Sequence, residues 1–261
     1  MINPNWVNFI VRLPRRNTYF AAKTQYLKPN IMTENLSCKR ILEQLRSLSN
    51  PAAVAGMSKF GINTENAYGI SIPELRKIAK EIGKSHQLAQ ELWESNIHEA
   101  RILASYIDEP NKVTEEQLEK WVRDFDSWDI CDQVCDLFEK TPYAYKKAKD
   151  WANRKEEFVR RTAFALMAGL AVHDKEASNE KFTQFFPLIK QAATDGRNFV
   201  KKSVSWALRN IGKRNKVLNG KAKEIAREIQ KVDSKAAKWI GSDALRELSR
   251  KRFFSSSERT R

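Results

Sequence analysis

The chain has 261 residues and a formal net charge of +15, from 47 lysines and arginines against 32 aspartates and glutamates, which favours an anionic partner. No apolar run approaches the roughly 20 residues of a membrane span. The chain has three cysteines and three histidines, and their spacing predicts neither a disulfide framework nor a zinc site. We therefore expect a protein of a reducing, cytoplasmic compartment, associated with the nucleoid if the source is prokaryotic, that carries no metal and no cofactor.

The positive charge is concentrated towards the C-terminus. Residues 201–261 hold 18 basic and 6 acidic side chains, whereas residues 34–200 hold 24 basic and 26 acidic ones. A basic third on a near-neutral body favours a localised anionic partner. Nucleic acid is the first expectation, with a solubilising surface or an anionic membrane surface as the alternatives.

The two ends of the chain differ from the middle. Residues 1–33 hold five basic residues, no acidic residue and no clear helical period. We expect an N-terminal extension that is a disordered arm or an overlong start, with a transit peptide as the alternative. Residues 34–251 are expected to form the folded domain, and residues 252–261 a disordered tail.

Between these ends the sequence predicts one helix after another. Apolar residues recur three and four positions apart, and no stretch shows the two-residue alternation of a half-buried strand. Capping residues and prolines predict helix starts at Asn50-Pro51, Ser71, Ser85, Thr114, Asp126 or Ser127, Thr141-Pro142 and Asp195.

A weak internal repeat predicts how these helices are arranged. Residues 158–163 (FVRRTA) align with residues 199–204 (FVKKSV) at an offset of 41. This period is typical of two-helix repeats of the HEAT or armadillo kind, which run about 40–47 residues. We expect an all-α solenoid of HEAT-like pairs, curved, with a basic concave groove.

The first candidate site lies in Ser127–Lys140. Trp128 and Asp132 are four residues apart and therefore share a helix face. Asp126 and Asp129 lie in the first turn, where a carboxylate complements the helix dipole, but Asp132 lies beyond it. An aromatic ring beside this carboxylate suggests chemistry on nucleic acid. Cys131 and Cys135 are interpreted as small core residues.

The second candidate site lies in Phe199–Lys213. Lys202, Trp206, Arg209 and Lys213 follow at spacings of four, three and four, so one helix face carries an indole among three cations. Such a face suits a polyanion with flat bases. The alternative for Trp206 is a half-buried ring covered by lysine stems.

Arg161 follows Arg160 in an otherwise apolar helix. It is interpreted either as a phosphate contact or as a surface salt bridge with Glu156 or Glu157. The remaining tryptophans have no charged stripe around them and are left as packing or unassigned; they are Trp6, Trp93, Trp121, Trp151 and Trp239.

Three patches together resemble the AlkD-type family of alkylpurine DNA glycosylases, which are DNA alkylation repair proteins built of HEAT-like repeats. They are residues 127–132 (SWDICD), 159–163 (VRRTA) and 205–209 (SWALR). The resemblance covers roughly residues 36–251.

This resemblance implies a role for each matching residue. Asp132 would be the catalytic carboxylate, Trp128 and Trp206 the lesion-facing aromatics, and Arg161 a DNA-backbone contact, with Arg209 carried over less directly. Asp129 is a second acid directly after Trp128, so the assignment to Asp132 depends on spacing.

The expected function is hydrolysis of the N-glycosidic bond of cationic N3- or N7-alkylpurines in double-stranded DNA, by a monomer. The carboxylate would stabilise an oxocarbenium-like sugar, and the indoles would attract the cationic base. Arg161, Lys202, Arg209 and Lys213 are the expected DNA-binding residues. A non-catalytic HEAT-like nucleic-acid binder and a protein-interaction scaffold are the alternatives.

Overall fold

The computed structural model describes residues 37–250. The predicted N-terminal extension and C-terminal tail lie outside the described residues. Within residues 37–250 there are fourteen helices and no strand, so the all-α prediction is confirmed for this part of the chain. The helices are α1 (Cys38–Ser47), α2 (Pro51–Ser58), α3 (Ile72–Ile82), α4 (His86–Glu94), α5 (His98–Ile107), α6 (Glu115–Arg123), α7 (Trp128–Phe138), α8 (Ala144–Ala152), α9 (Glu157–His173), α10 (Asn179–Thr183), α11 (Phe186–Ala192), α12 (Asn198–Lys213), α13 (Lys216–Lys231) and α14 (Lys235–Leu248).

Most predicted helix starts are confirmed because a side chain caps the first turn. Asn50, Ser71, Ser85 and Thr114 each accept a hydrogen bond from the backbone N–H three residues on. Each cap satisfies one of the N–H groups that a helix leaves unpaired at its start, and is worth about 1 kcal/mol.

Two predicted starts are displaced by a few residues. The helix expected at Thr141-Pro142 begins at Ala144, because the Thr141 hydroxyl donates back to the Phe138 carbonyl of the preceding helix (2.7 Å). The helix expected at Asp195 begins at Asn198, and Asp195 instead accepts from the backbone N–H of Arg197 (3.1 Å).

One row of helices runs through the described part of the chain. The helices α3, α5, α7, α9, α12 and α14 each pack against the next in this order. A second set packs behind the row, with α4 against α5, α8 against α9, and α13 against both α12 and α14. This arrangement of consecutive helix pairs is what the 41-residue repeat predicts.

The repeated segments are neighbours in the row. Residues 158–163 begin α9 and residues 199–204 begin α12, and the Phe158 and Phe199 rings lie 5.8 Å apart. Equivalent positions of the repeat therefore lie side by side.

The core lies between the two layers. Trp93 and Trp121 stack with their ring centroids 3.9 Å apart, and Trp151 is also fully buried, so the packing interpretation of these three rings is confirmed. Cys131 and Cys135 are buried free thiols, as expected of small core residues. Among residues 37–250 no helix is long and apolar enough to cross a membrane.

Candidate functional site

The structure joins Asp132 of α7 to Arg161 of α9. Nη2 of Arg161 donates to Oδ1 (2.9 Å) and Oδ2 (2.8 Å) of Asp132, and Nε donates to Oδ1 (3.1 Å). The third guanidinium nitrogen, Nη1, donates to the backbone carbonyl of Phe199 on α12 (2.8 Å). The Asp132 side chain is 9% exposed and that of Arg161 is 7% exposed. Three successive helices of the row thus fix one carboxylate in a single orientation.

Trp128 lies beside this pair. The guanidinium carbon of Arg161 is 5.7 Å from the centre of the Trp128 ring, within cation–π distance. The indole Nε1 donates to the backbone carbonyl of Phe60, just after α2 (3.1 Å). Trp128 is half-buried. Arg161 therefore contacts both Trp128 and Asp132, which lie four residues apart on α7.

The charge state of Asp132 is set by two opposed effects. Burial raises the pKa of Asp132, and the Arg161 guanidinium acts in the opposite direction by favouring the carboxylate. The same pair raises the pKa of Arg161, so the guanidinium stays charged. The three hydrogen bonds from Arg161 favour the carboxylate form of Asp132 over the protonated form.

The neighbouring acids have other partners. Asp129 Oδ2 lies 2.9 Å from Nε2 of His98 on α5, and Asp126 Oδ2 accepts from the side-chain amide of Asn63 (2.7 Å). The Asp129 hydrogen bond raises the pKa of His98 against the effect of burial. Asp132 is thus the acid of α7 whose Arg partner also contacts Trp128.

One of the two interpretations of Arg161, a surface salt bridge with Glu156 or Glu157, is wrong, because the buried Arg161 side chain pairs with Asp132. Arg160 likewise pairs with Asp195 (3.1 Å). Sequence reasoning missed both partners because they lie 29 and 35 residues away along the chain. The DNA-backbone contact of Arg161 stays a prediction.

The second candidate site, on α12, contains both exposed residues and residues that pair with acids. Lys202 is exposed and Trp206 is half-buried against the core. Arg209 lies 3.4 Å from Asp243 and also pairs with Glu247 of α14, which in turn pairs with Lys213. Two of the three predicted cations therefore already contact acids that the sequence pattern did not connect to them.

Lys202 connects the two candidate sites. Partial desolvation lowers the pKa of Lys202, and the nearby positive charges of Arg161 and Lys201 lower it further. Because these like charges lie close together and Lys202 is exposed, an anion at this position is electrostatically favoured.

A further cluster was not expected from the sequence. Asp136, Glu139 and His173 bring three potential ligand atoms within 4.8 Å of one another. Nδ1 of His173 already lies 2.6 Å from Oε1 of Glu139, so these two side chains satisfy each other by a hydrogen bond. The expectation that the chain carries no metal stays a prediction.

Comparison with known proteins decides the family. The family model described as "DNA alkylation repair enzyme" matches residues 41–248, which is most of the chain. The chain belongs to this DNA alkylation repair family. The resemblance drawn from the three sequence patches is confirmed at this level.

The chain is also similar to two uncharacterised Listeria proteins. Lin0241 of Listeria innocua is 26% identical over 195 residues, covering 72% of this chain and 84% of the relative. Lmo0209 of Listeria monocytogenes is 25% identical with the same coverage.

Solved structures show the fold. A protein described as one of "a new family of proteins related to the HEAT-like repeat DNA glycosylases with affinity for branched DNA structures" aligns with a TM-score of 0.69 at 20% identity, over 84% of this chain and 99% of that one. The smu.31 protein of Streptococcus mutans aligns with a TM-score of 0.50 at 17% identity, over 79% of this chain and 96% of that one. The prediction of a HEAT-like α-solenoid is therefore confirmed.

Proposed function

We propose that this member of the DNA alkylation repair family is a DNA glycosylase that hydrolyses the N-glycosidic bond of cationic N3- or N7-alkylpurines in double-stranded DNA. The observation that carries the proposal is the Asp132 carboxylate, which Arg161 holds by three hydrogen bonds beside the Trp128 ring. Three further observations support the proposal. The chain belongs to a family of DNA repair enzymes, its fold is HEAT-like, and the exposed Lys202 lies near the Asp132–Arg161 pair.

The chemistry requires stabilisation of positive charge at the sugar. When the bond from C1′ to the alkylated purine breaks, its electron pair neutralises the purine cation, so the base leaves without help from a general acid. The sugar becomes oxocarbenium-like, and water then bonds to C1′ and loses a proton. A fixed carboxylate stabilises this transition state and can accept the proton from water.

The pair with Arg161 prepares Asp132 for this role. Oδ1 accepts two of the three guanidinium hydrogen bonds, and Oδ2 accepts one and retains a further acceptor position. A carboxylate already oriented by the protein needs no reorganisation when positive charge develops near it. We therefore assign Arg161 chiefly to positioning Asp132, and only secondarily to the DNA backbone.

The remaining site residues bind the substrate in this proposal. The half-buried indoles of Trp128 and Trp206 attract a cationic purine over a neutral one, by about 0.5–2 kcal/mol each. Lys202 contacts a phosphate directly. Arg209 and Lys213 both pair with Glu247, so in this proposal they contribute to DNA binding mainly through long-range electrostatic attraction rather than direct phosphate contacts.

A second candidate is a DNA-binding protein without catalysis. It is favoured by the solved structure whose description names affinity for branched DNA. The two candidates differ in one property, the release of free base.

The test is incubation of the purified full chain with duplex DNA containing 7-methylguanine, followed by chromatography of the released base. We expect free 7-methylguanine and an abasic site, and no release of guanine from the same duplex without methylation. Tight binding of the methylated duplex with no released base would favour the non-catalytic candidate.

A further inference from the structure

Trp239 of α14 is exposed on the same row of helices as the candidate site. Its side chain is 41% exposed, and Nζ of Lys201 on α12 lies 4.9 Å from the ring centroid. We propose that Trp239 is a second nucleic-acid contact, at which an unpaired base stacks on the indole while Lys201 and Lys235 contact the flanking phosphates. The proposal rests on the proposed function only in taking nucleic acid as the partner.

A regular set of contacts places Trp239 on the row. Lys201 contacts Trp239, Ser205 Oγ donates to Asp243 Oδ2 (2.7 Å), and Arg209 pairs with Glu247. Each contact joins two residues that are 38 positions apart in the sequence. From one contact to the next, the position advances by four residues on α12 and by four on α14. Helices α12 and α14 therefore run parallel and side by side, with Trp239 at the N-terminal end of their shared seam.

The first turns of α12 contact both Trp239 and the candidate active site. Lys201 and Lys202 are adjacent, so they lie about 100° apart around α12. Lys201 reaches Trp239, while the backbone of Phe199 accepts from Arg161, which holds Asp132. Lys202 lies near Arg161 and Lys201 lies near Trp239, so the start of α12 contributes one cation to each of the two positions.

The charges around Trp239 favour an anion. Asp243 accepts from Ser205, lies 3.4 Å from Arg209 and pairs with Arg246, so its charge is balanced by the protein itself. Lys235, one turn before Trp239 on the same face, is exposed. The indole therefore has Lys201 beside it and Lys235 one turn away, while the charge of the nearby Asp243 is balanced.

An unpaired base fits this surface better than intact duplex or an apolar peptide does. An exposed indole offers a flat face on which any base can stack, and cations beside it suit the phosphates on either side. In intact duplex the base faces are covered by their neighbours, so only the phosphates would bind here. An apolar peptide would leave the two lysines without counter-charges.

The test compares a fluorescently labelled oligothymidylate with a blunt, unmethylated duplex by anisotropy, using the full chain. Trp239→Ala should weaken binding of the single strand by about tenfold or more, in line with stacking of one base, and weaken duplex binding much less. Trp239→Phe should retain most of the single-strand affinity. Val232→Ala removes an equally exposed side chain (41%) outside the seam and is the matched control, with wild-type affinity expected for both probes.

Unchanged single-strand affinity in Trp239→Ala would overturn the proposal, and so would an equal loss on both probes. Lys201→Ala is a second variant, and a loss for the single strand of several-fold is expected; no loss would count against the phosphate contact. Neither probe contains an alkylated purine, so these results do not depend on whether the chain releases bases.

Discussion

Two regions of the row carry the same residues in different settings. Helix α7 has Trp128 and Asp132 four residues apart, and α14 has Trp239 and Asp243 four apart. In each region an arginine of a neighbouring helix lies against the aspartate, Arg161 on α9 and Arg209 on α12.

The partners of the two aspartates differ. Among residues 37–250, Asp132 has one basic partner, Arg161, which also lies near the Trp128 ring. Asp243 has Ser205, Arg209 and Arg246 around it, and Arg209 is shared with Glu247. The same spacing in sequence thus gives one oriented carboxylate beside a half-buried ring, and one compensated carboxylate beside an exposed ring. Spacing along the sequence therefore identifies candidate residues, whereas their partners on other helices distinguish the proposed chemical site from the proposed binding site.

The largest expected difference between the two regions is in the rate of base release. Asp132→Asn should lower the single-turnover rate on 7-methylguanine duplex by about 10²–10⁴-fold, because the amide cannot carry the negative charge that stabilises the sugar cation. Asp243→Asn should change the rate by no more than about twofold. Equal losses in the two variants would mean that the comparison does not separate chemistry from binding.

The next difference concerns stability. Arg161→Ala leaves the buried Asp132 without its cation and should lower the free energy of unfolding by about 3–5 kcal/mol. Arg209→Ala should cost less, about 1–2 kcal/mol, because Arg246 and Lys213 still pair with Asp243 and Glu247. Urea denaturation of both variants measures the difference; a larger loss for Arg209→Ala would contradict this account of the pairing.

A smaller effect is expected from the aromatic rings. Trp206→Ala should reduce excision of 7-methylguanine by about 2- to 30-fold, because a cation–π contact of about 0.5–2 kcal/mol is lost. Trp206→Phe keeps an aromatic face and should lose less. Competition binding with methylated and unmethylated duplex checks the cause, since the preference for the methylated duplex should fall along with excision.

The smallest effect is in the pH dependence. Excision requires the carboxylate form of Asp132, so the rate should fall as the pH drops through the pKa of this group. Burial raises that pKa. On the acidic side of the pH–rate profile, the midpoint of the fall in rate should therefore lie above the pKa of about 3.9 for an exposed aspartate. If circular dichroism shows that Arg161→Ala is folded, this midpoint should move to higher pH in the variant, because the cation that favours ionisation of Asp132 is gone. A shift in the opposite direction would show that another group controls the midpoint.

The local features of the fold follow from the sequence. The caps at Asn50, Ser71, Ser85 and Thr114 involve residues three apart, so the sequence contains all the information needed to place them. Helical periodicity likewise puts Trp128 and Asp132 on one face.

The partners across helices do not follow from the sequence. The pair of Asp132 with Arg161 depends on how α7 packs on α9, and the contacts of Arg209 depend on the register of α12 against α14. The sequence alone does not assign a role to Trp239, because the cation beside it, Lys201, lies 38 residues away along the chain. A periodicity argument cannot detect contacts that tertiary packing creates.

The most direct test follows free 7-methylguanine released under single-turnover conditions by saturating wild-type protein, beside Asp132→Asn at the same occupancy of the duplex. We expect the wild type to convert the bound duplex to abasic product and the variant to remain bound with almost no release. Release by Asp132→Asn at the wild-type rate, or a fully bound wild type that releases nothing, would contradict the account.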